Sequence, residues 1–257
     1  MPKVTRLTMT HHQPPEPAKD TIYASEHGQV ADFRFDDTVA RVFPDMIKRS
    51  VPGYSHIIGM IGILAEQYAQ PNSRLYDLGS SLGAASLAMR HRVHAPGAVI
   101  VAVDNSEAML ERSRDFLESE DLPTPVQMLC ADITSLTLEN ASFVVLNFTL
   151  QFIPLEHRQM TLQRIYDGML PGAALVLSEK LRFPDPVQDQ LLIQHHHDFK
   201  RANGYSDLEI SQKRQAIERV LLPETAEDHL KRLKAVGFST ATLWFQSFNF
   251  ASFLAIK

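Results

Sequence analysis

Apolar and polar positions follow two rhythms along this chain. Short β-rich runs at Arg74 to Leu78, Val99 to Val103, Val126 to Cys130, Phe143 to Leu146 and Ala174 to Leu177 read as strands. Between them, Gly83 to Arg92, Ser106 to Glu118 and Leu155 to Met169 are each long enough for a crossover helix. Near-continuous apolar strands alternating with helices predict an α/β fold, with a mostly parallel sheet covered on both faces. Two helices precede the first strand. One, capped at Asp37-Thr38, reaches Ser50, and the other runs from about Tyr54 to Ala69 before the Pro71-Asn-Ser73 break. Beyond Glu179 the rhythm changes, because Pro184 to Ala202 and Ser206 to Val220 read as successive helices with no strand between them. They form a helical insertion at about 184–220, and Ser206-Asp-Leu-Glu209 fits a capping box at its second helix. A third helix, about Thr225 to Val236, closes at Gly237. Thr240 to Phe245 and Phe250 to Ile256 flank a short turn, which predicts an antiparallel strand pair at the end of the sheet.

A chain of 257 residues suits one compact domain with additions. Residues 1–20, with Pro14, Pro15 and Pro17, read as a flexible tail without signal-peptide character, leaving 21–257 as a single domain. No apolar run approaches the roughly 18 residues needed to cross a bilayer, so a soluble, cytoplasmic protein with no membrane partner is expected. Lys and Arg total 25 against 30 Asp and Glu, so no broad basic surface exists for direct nucleic-acid binding. The single cysteine, Cys130, excludes an internal disulfide and multi-cysteine metal sites. At the end of an apolar strand it reads as a buried, inert thiol.

Ligands of open parallel sheets bind outside the carboxyl ends of the strands, so chemistry is sought there. After the first strand comes Asp77-Leu-Gly79-Ser80-Ser81-Leu-Gly83, whose glycine spacing departs from the G-x-G-x-x-G of dinucleotide sites. A tight strand–helix turn with no ligand accounts for it equally well. About twenty residues on, Asp104-Asn105 follows the second strand, where an acid accepts hydrogen bonds from ribose hydroxyls. Helix capping is the alternative for Asp104, although Ser106 is available for that role. Asp132-Ile133 offers an acceptor for an exocyclic amine and an apolar wall for a purine, and Asn147 opens a polar break after the fourth strand. Four such strand ends describe a nucleoside pocket without a pyrophosphate cradle, the profile of an S-adenosylmethionine site. The first of them resembles motif one of the Rossmann-like methyltransferases, with Ser81 in place of the middle glycine.

The acceptor chemistry is less legible. Asn147-Phe148-Thr149-Leu150 lacks the Pro-Pro-aromatic signature of amine methylation, and Cys130 is poorly placed to act as a nucleophile on a pyrimidine. His195, His196 and His197 point about 100° apart on a helix and do not converge on a metal, so no metal is expected. Arg214 lies on an inserted helix from which a guanidinium can pair bidentately with an anion.

Several longer runs carry a closer resemblance. They are Val42-Phe-Pro-Asp-Met-Ile-Lys-Arg-Ser-Val-Pro-Gly-Tyr54, Tyr76 to Ala84, Asn147-Phe-Thr-Leu-Gln-Phe152, Leu175-Val-Leu-Ser-Glu-Lys180, His197-Asp-Phe-Lys-Arg-Ala-Asn-Gly-Tyr205 and Glu209-Ile-Ser-Gln-Lys-Arg214. Together they resemble the carboxy-S-adenosyl-L-methionine synthases. That resemblance implies an enzyme on a methyltransferase fold, converting S-adenosyl-L-methionine and prephenate to carboxy-S-adenosyl-L-methionine and phenylpyruvate. The product then supplies carboxymethylation of a wobble uridine in tRNA by a separate enzyme. Ligand-binding positions carried over by motif are Tyr54, Gly79, Ser80, Ser81, Asp104, Asn105, Asp132, Ile133, Asn147 and Arg214, the last as carboxylate anchor and catalytic residue. A homodimer is implied as well. The alternatives are an ordinary S-adenosylmethionine-dependent methyltransferase acting on a small molecule or tRNA, and a non-catalytic nucleoside-binding module.

Overall fold

The computed structural model describes residues 18–26, 32–118, 122–218 and 220–257. Helices α1 (Asp37–Ser50) and α2 (Tyr54–Tyr68) lead into β1 (Arg74–Leu78), α3 (Ala84–Arg90), β2 (Val99–Asp104), α4 (Glu107–Leu117), β3 (Val126–Cys130) and β4 (Ala141–Asn147). A short 3-10 turn at Leu150–Phe152 precedes α5 (Leu155–Gly168) and β5 (Met169–Lys180). The inserted helices α6 (Pro186–Ala202) and α7 (Asp207–Ile217) follow, then α8 (Ala226–Val236), β6 (Thr240–Ser247) and β7 (Phe250–Ile256). The strands form one sheet in the order β3-β2-β1-β4-β5-β7-β6. Pairing is parallel from β3 through β5 and antiparallel for β5–β7 and β7–β6. Strand order reverses between β1 and β4, so the crevice at their carboxyl ends is where a ligand belongs.

Three apolar clusters fix this arrangement. On one face, Leu162 and Ile165 of α5 and Leu233 and Val236 of α8 pack on strand residues such as Leu78 and Leu177. On the other face, Ile57 and Ile61 of α2 and Met89 of α3 cover Leu75, Phe143 and Val176. The third cluster joins Phe33, Met46, Leu82, Met109 and Ala216, tying α1, α4 and α7 together over the carboxyl edge of the sheet.

Several expectations need correction in detail. Asp36, not Asp37-Thr38, caps α1, its side chain accepting from Val39 N at 3.0 Å. β5 is longer than its apolar run because it pairs with β4 and with β7 along its length. Cys130 is exposed rather than buried, since β3 is an edge strand whose positions are exposed or only half-buried among the described residues. The tail lies outside the described residues up to residue 17, whereas Asp20, at its expected end, is buried. Its backbone N–H donates to Asp45 Oδ2 at 2.7 Å and its carbonyl accepts from Arg49 at 2.7 Å. The capping box at Ser206 and Glu209 is present in both directions.

Candidate active site

One cavity of about 390 Å³ opens at the carboxyl ends of β1, β2, β3 and β4, roofed by α1, α6 and α7. Its floor begins at the turn after β1. The amides of Gly79 and Ser80 both donate to Val103 O, at 2.8 and 2.9 Å, folding the turn against β2. Gly79 has φ of +78°, and a Cβ there would come within 2.4 Å of the Thr149 side chain, so glycine alone fits. Ser81 is also left-handed, and its amide donates to Asp104 Oδ2 at 2.8 Å.

Acidic groups follow at successive strand ends. Asp77, fully buried, accepts from Ser86 N at 3.0 Å and Ser86 Oγ at 2.7 Å. Burial nevertheless pushes its carboxyl up to about 6. Asp104 accepts from Ser106 N at 2.9 Å, and burial raises its carboxyl too. Ser106 itself caps α4 through Met109 N, so Asp104 keeps acceptor capacity for a ligand. Asn105 is exposed at the rim. Asp132 accepts from Thr134 N and Oγ1 at 2.8 and 2.7 Å, which hold its carboxyl below the usual range, and half-buried Ile133 stands beside it.

Two wall atoms have no hydrogen-bond partner, Ser80 Oγ and Asn147 Oδ1, both buried on residues that line the cavity. Such orphaned polar atoms call for a ligand or water. Phe148, next to Asn147, takes φ of +62°, a strained conformation for an aromatic residue. It packs on Tyr54 and Phe250, with ring centroids 6.5 and 5.8 Å apart. The Tyr54 phenol is pushed up by burial and by Asp77. This floor carries acids and neutral polar atoms, a donor set that fits the cationic nucleoside S-adenosylmethionine.

The roof is of opposite sign. Lys180, His196, Lys200 and Lys213 all line the cavity. His196 Nε2–H donates to Ser50 O at 2.8 Å, and burial depresses its ring far below the usual value, so it is neutral. Lys213 Nζ donates to Ser50 Oγ at 3.0 Å and Tyr205 OH at 3.4 Å and pairs with Asp20 at 3.4 Å. Burial lowers Lys213 to about 8 and Lys200 to about 7.

The cavity therefore brings together nine of the residues singled out in the sequence: Tyr54, Gly79, Ser80, Ser81, Asp104, Asn105, Asp132, Ile133 and Asn147. Arg214 stands apart from this lining, exposed on α7 and paired to Glu218 at 3.4 Å. Burial depresses both Lys180 and His197, and the Arg214 charge adds to the depression of each. The roof lysines were missed in the sequence. One signal was available: the i and i+4 spacing of His196 and Lys200 places them on one face of α6, and that face is the one the structure buries.

The fold is that of the S-adenosylmethionine-dependent methyltransferases. The methyltransferase domain family matches residues 75–172. A solved S-adenosyl-L-methionine-dependent methyltransferase structure from Methanococcus maripaludis superposes with a TM-score of 0.56 at 18% identity, covering 91% of this chain and 96% of that one. Human N-acetylserotonin methyltransferase, solved with bound cofactor, gives 0.59 at 18% identity over 86% of this chain and 55% of its own. These likenesses establish the fold. Carboxy-S-adenosyl-L-methionine synthase from Trichlorobacter lovleyi is 60% identical over 239 residues, 93% of this chain and 98% of that protein. The Marinobacter nauticus protein of the same name is 56% identical over 249 residues, 97% and 99% of the two chains. The chain belongs to the carboxy-S-adenosyl-L-methionine synthase family. No helix among the described residues is long and apolar enough to cross a membrane.

Proposed function

We propose that this enzyme makes carboxy-S-adenosyl-L-methionine from S-adenosyl-L-methionine and prephenate, releasing phenylpyruvate. The observation that carries the reading is a cavity that joins an acidic, nucleoside-sized floor to a cationic, aromatic-lined roof, in a chain of this family. Such a cavity suits a cationic cofactor and an anionic ring compound side by side.

Asp104 takes the ribose hydroxyls, Asp132 and Ile133 the adenine, and Gly79, Ser80, Ser81, Asn105, Asn147 and Tyr54 enclose the remainder. When both substrates are bound, prephenate breaks its ring-to-carboxylate bond and expels its ring hydroxide as it aromatises. The hydroxide takes a proton from the sulfonium methyl, leaving as water, and the deprotonated carbon captures the carbon dioxide. The protein's part is to hold the partners in register and keep water out, so no protein base is required. Arg214 anchors the transferred carboxylate once it is bonded to the sulfonium carbon, leaving the departing ring carboxylate unpaired, and is the catalytic residue of this scheme. Its exposed pair with Glu218 is worth at most about 0.5 kcal/mol, so turning toward the cavity costs little.

The same reading includes a cytoplasmic homodimer that binds no nucleic acid directly and uses no metal, its product serving wobble-uridine carboxymethylation in tRNA. The test is incubation of purified protein with S-adenosylmethionine and prephenate, followed by mass spectrometry. Appearance of the carboxylated cofactor together with phenylpyruvate is expected, whereas unchanged prephenate would refute the reading. Arg214→Ala should lower kcat/KM by roughly a hundredfold, the scale of losing one electrostatic contact to a developing charge.

A further inference from the structure

We propose that Lys180 and Lys200 form a carboxylate clamp at the roof of the cavity, holding the 2-oxo acid side chain of the second substrate. This rests on the preceding reading that the second substrate is a ring compound bearing two carboxylates. The clamp is inferred from how this protein treats its other buried cations. Arg158, fully buried, donates to Glu224 Oε2 at 2.5 Å and to the carbonyls of Gln151, Ile153 and Leu222. Arg232 pairs with the other oxygen of Glu224 at 2.5 Å. Lys213 has Asp20, Ser50 and Tyr205. A buried cation without such partners is strongly disfavoured.

Lys200 breaks this pattern. It is only 8% exposed, yet among the described residues neither its ammonium nor that of Lys180 has a hydrogen-bond or ion-pair partner. Both lysines line the cavity, so the partner they lack is one the cavity admits. Phe148, Phe152 and Phe250 line the same space and supply an apolar wall for a ring. An aromatic-lined chamber with two unpaired ammonium groups recognises an organic carboxylate attached to a ring.

The chemistry decides which carboxylate is held. The ring carboxylate must shed its charge as carbon dioxide, and ion pairing in the ground state would oppose that loss. The side-chain carboxylate keeps its charge throughout, so clamping it positions the ring at no cost to the barrier. The clamp is thus a positioning device, and the departing group stays free to reach the sulfonium methyl.

Phenylpyruvate isolates the point, because it retains the side-chain carboxylate and lacks the ring one. Its affinity, and that of S-adenosylmethionine, would be measured by calorimetry for wild type, Lys200→Met and Lys180→Met, alongside the KM for prephenate. Each variant should weaken phenylpyruvate binding and raise the prephenate KM by at least about tenfold, the worth of one charge-assisted hydrogen bond. The S-adenosylmethionine Kd should stay within about twofold, and Lys200→Arg should recover part of the loss. Equal loss of S-adenosylmethionine affinity would instead assign the lysines to the methionine carboxylate of that substrate and overturn the proposal. Phenylpyruvate affinity unchanged in the variants, or absent in wild type, would overturn it as well. Failure of wild type to consume prephenate would strike the functional reading alone, since the phenylpyruvate titrations need no turnover. Thermal melting confirms that each variant is folded, with Lys200→Gln as substitute if Lys200→Met is not.

Discussion

Asp77 sits at the base of the turn after β1 with its carboxylate against Ser86 and, among the described residues, no cation beside it on the cavity floor. Its pKa of about 6 stands above the ordinary 3.8 because burial outweighs the two hydrogen bonds from Ser86. Between those values the native state holds a proton that the unfolded chain has lost, so Asp77's contribution to stability falls as pH rises through this window. A cationic ligand reverses the preference, because it favours the ionised acid. S-adenosylmethionine should therefore bind more tightly as pH rises from 5 to 7, releasing a proton at the lower end. Asp77→Asn should flatten that dependence and weaken binding at pH 7 by about tenfold, a one-unit effect on the binding free energy scale. Calorimetry in buffers of differing ionisation enthalpy measures both the Kd and the proton released. A Kd that keeps its slope in the variant would assign the titration elsewhere, with Asp104 next in line because its carboxyl is also raised.

At the scale of elements, local signals placed most of the sheet. β1, β3 and β7 have the limits their apolar runs predict, because each run is bounded by turn residues. The capping box likewise set the start of α7. What remained illegible was tertiary. Nothing local marks Arg158, which looks like a solvent-facing residue of α5, as the link between the post-β4 turn and the segment after α7. Its bonds hold Gln151 and Ile153, both in the cavity wall, against Leu222 and Glu224. Arg158→Ala leaves Glu224 with Arg232 alone and empties a fully buried site. A loss of about 3–5 kcal/mol in unfolding free energy is expected from urea denaturation. A change below about 1 kcal/mol would show that the two segments are joined chiefly by apolar packing.

At the scale of the whole molecule, a net charge of −5 hides a chamber whose roof is cationic. Strand-end residues were legible because the topology of a parallel sheet dictates where ligands lie. The roof was not, because Lys200 and Lys213 belong to charged runs that read as solvated helix faces, and helical phase decides which members turn inward. Lys213 faces the cavity while its neighbour Arg214 is exposed, although the resemblance singled out the arginine. The inward lysines make the ligand-free fold sensitive to alkaline pH in an unusual direction. Lys200 titrates near 7 and Lys213 near 8 in the fold, against 10.5 ordinarily. From pH 7 to 10 the unfolded chain therefore binds more protons than the native one, and stability rises with pH across that range. Lys200→Met should remove much of this rise and melt higher than wild type at pH 7, by on the order of 2 kcal/mol after relaxation and water penetration. Melting temperatures at pH 7 and 9 test it. Identical pH slopes in the two proteins would mean that Lys200 is solvated and costs the fold nothing. Phenylpyruvate should narrow the gap at pH 7 by stabilising wild type more than the variant, since only wild type presents both ammonium groups to it.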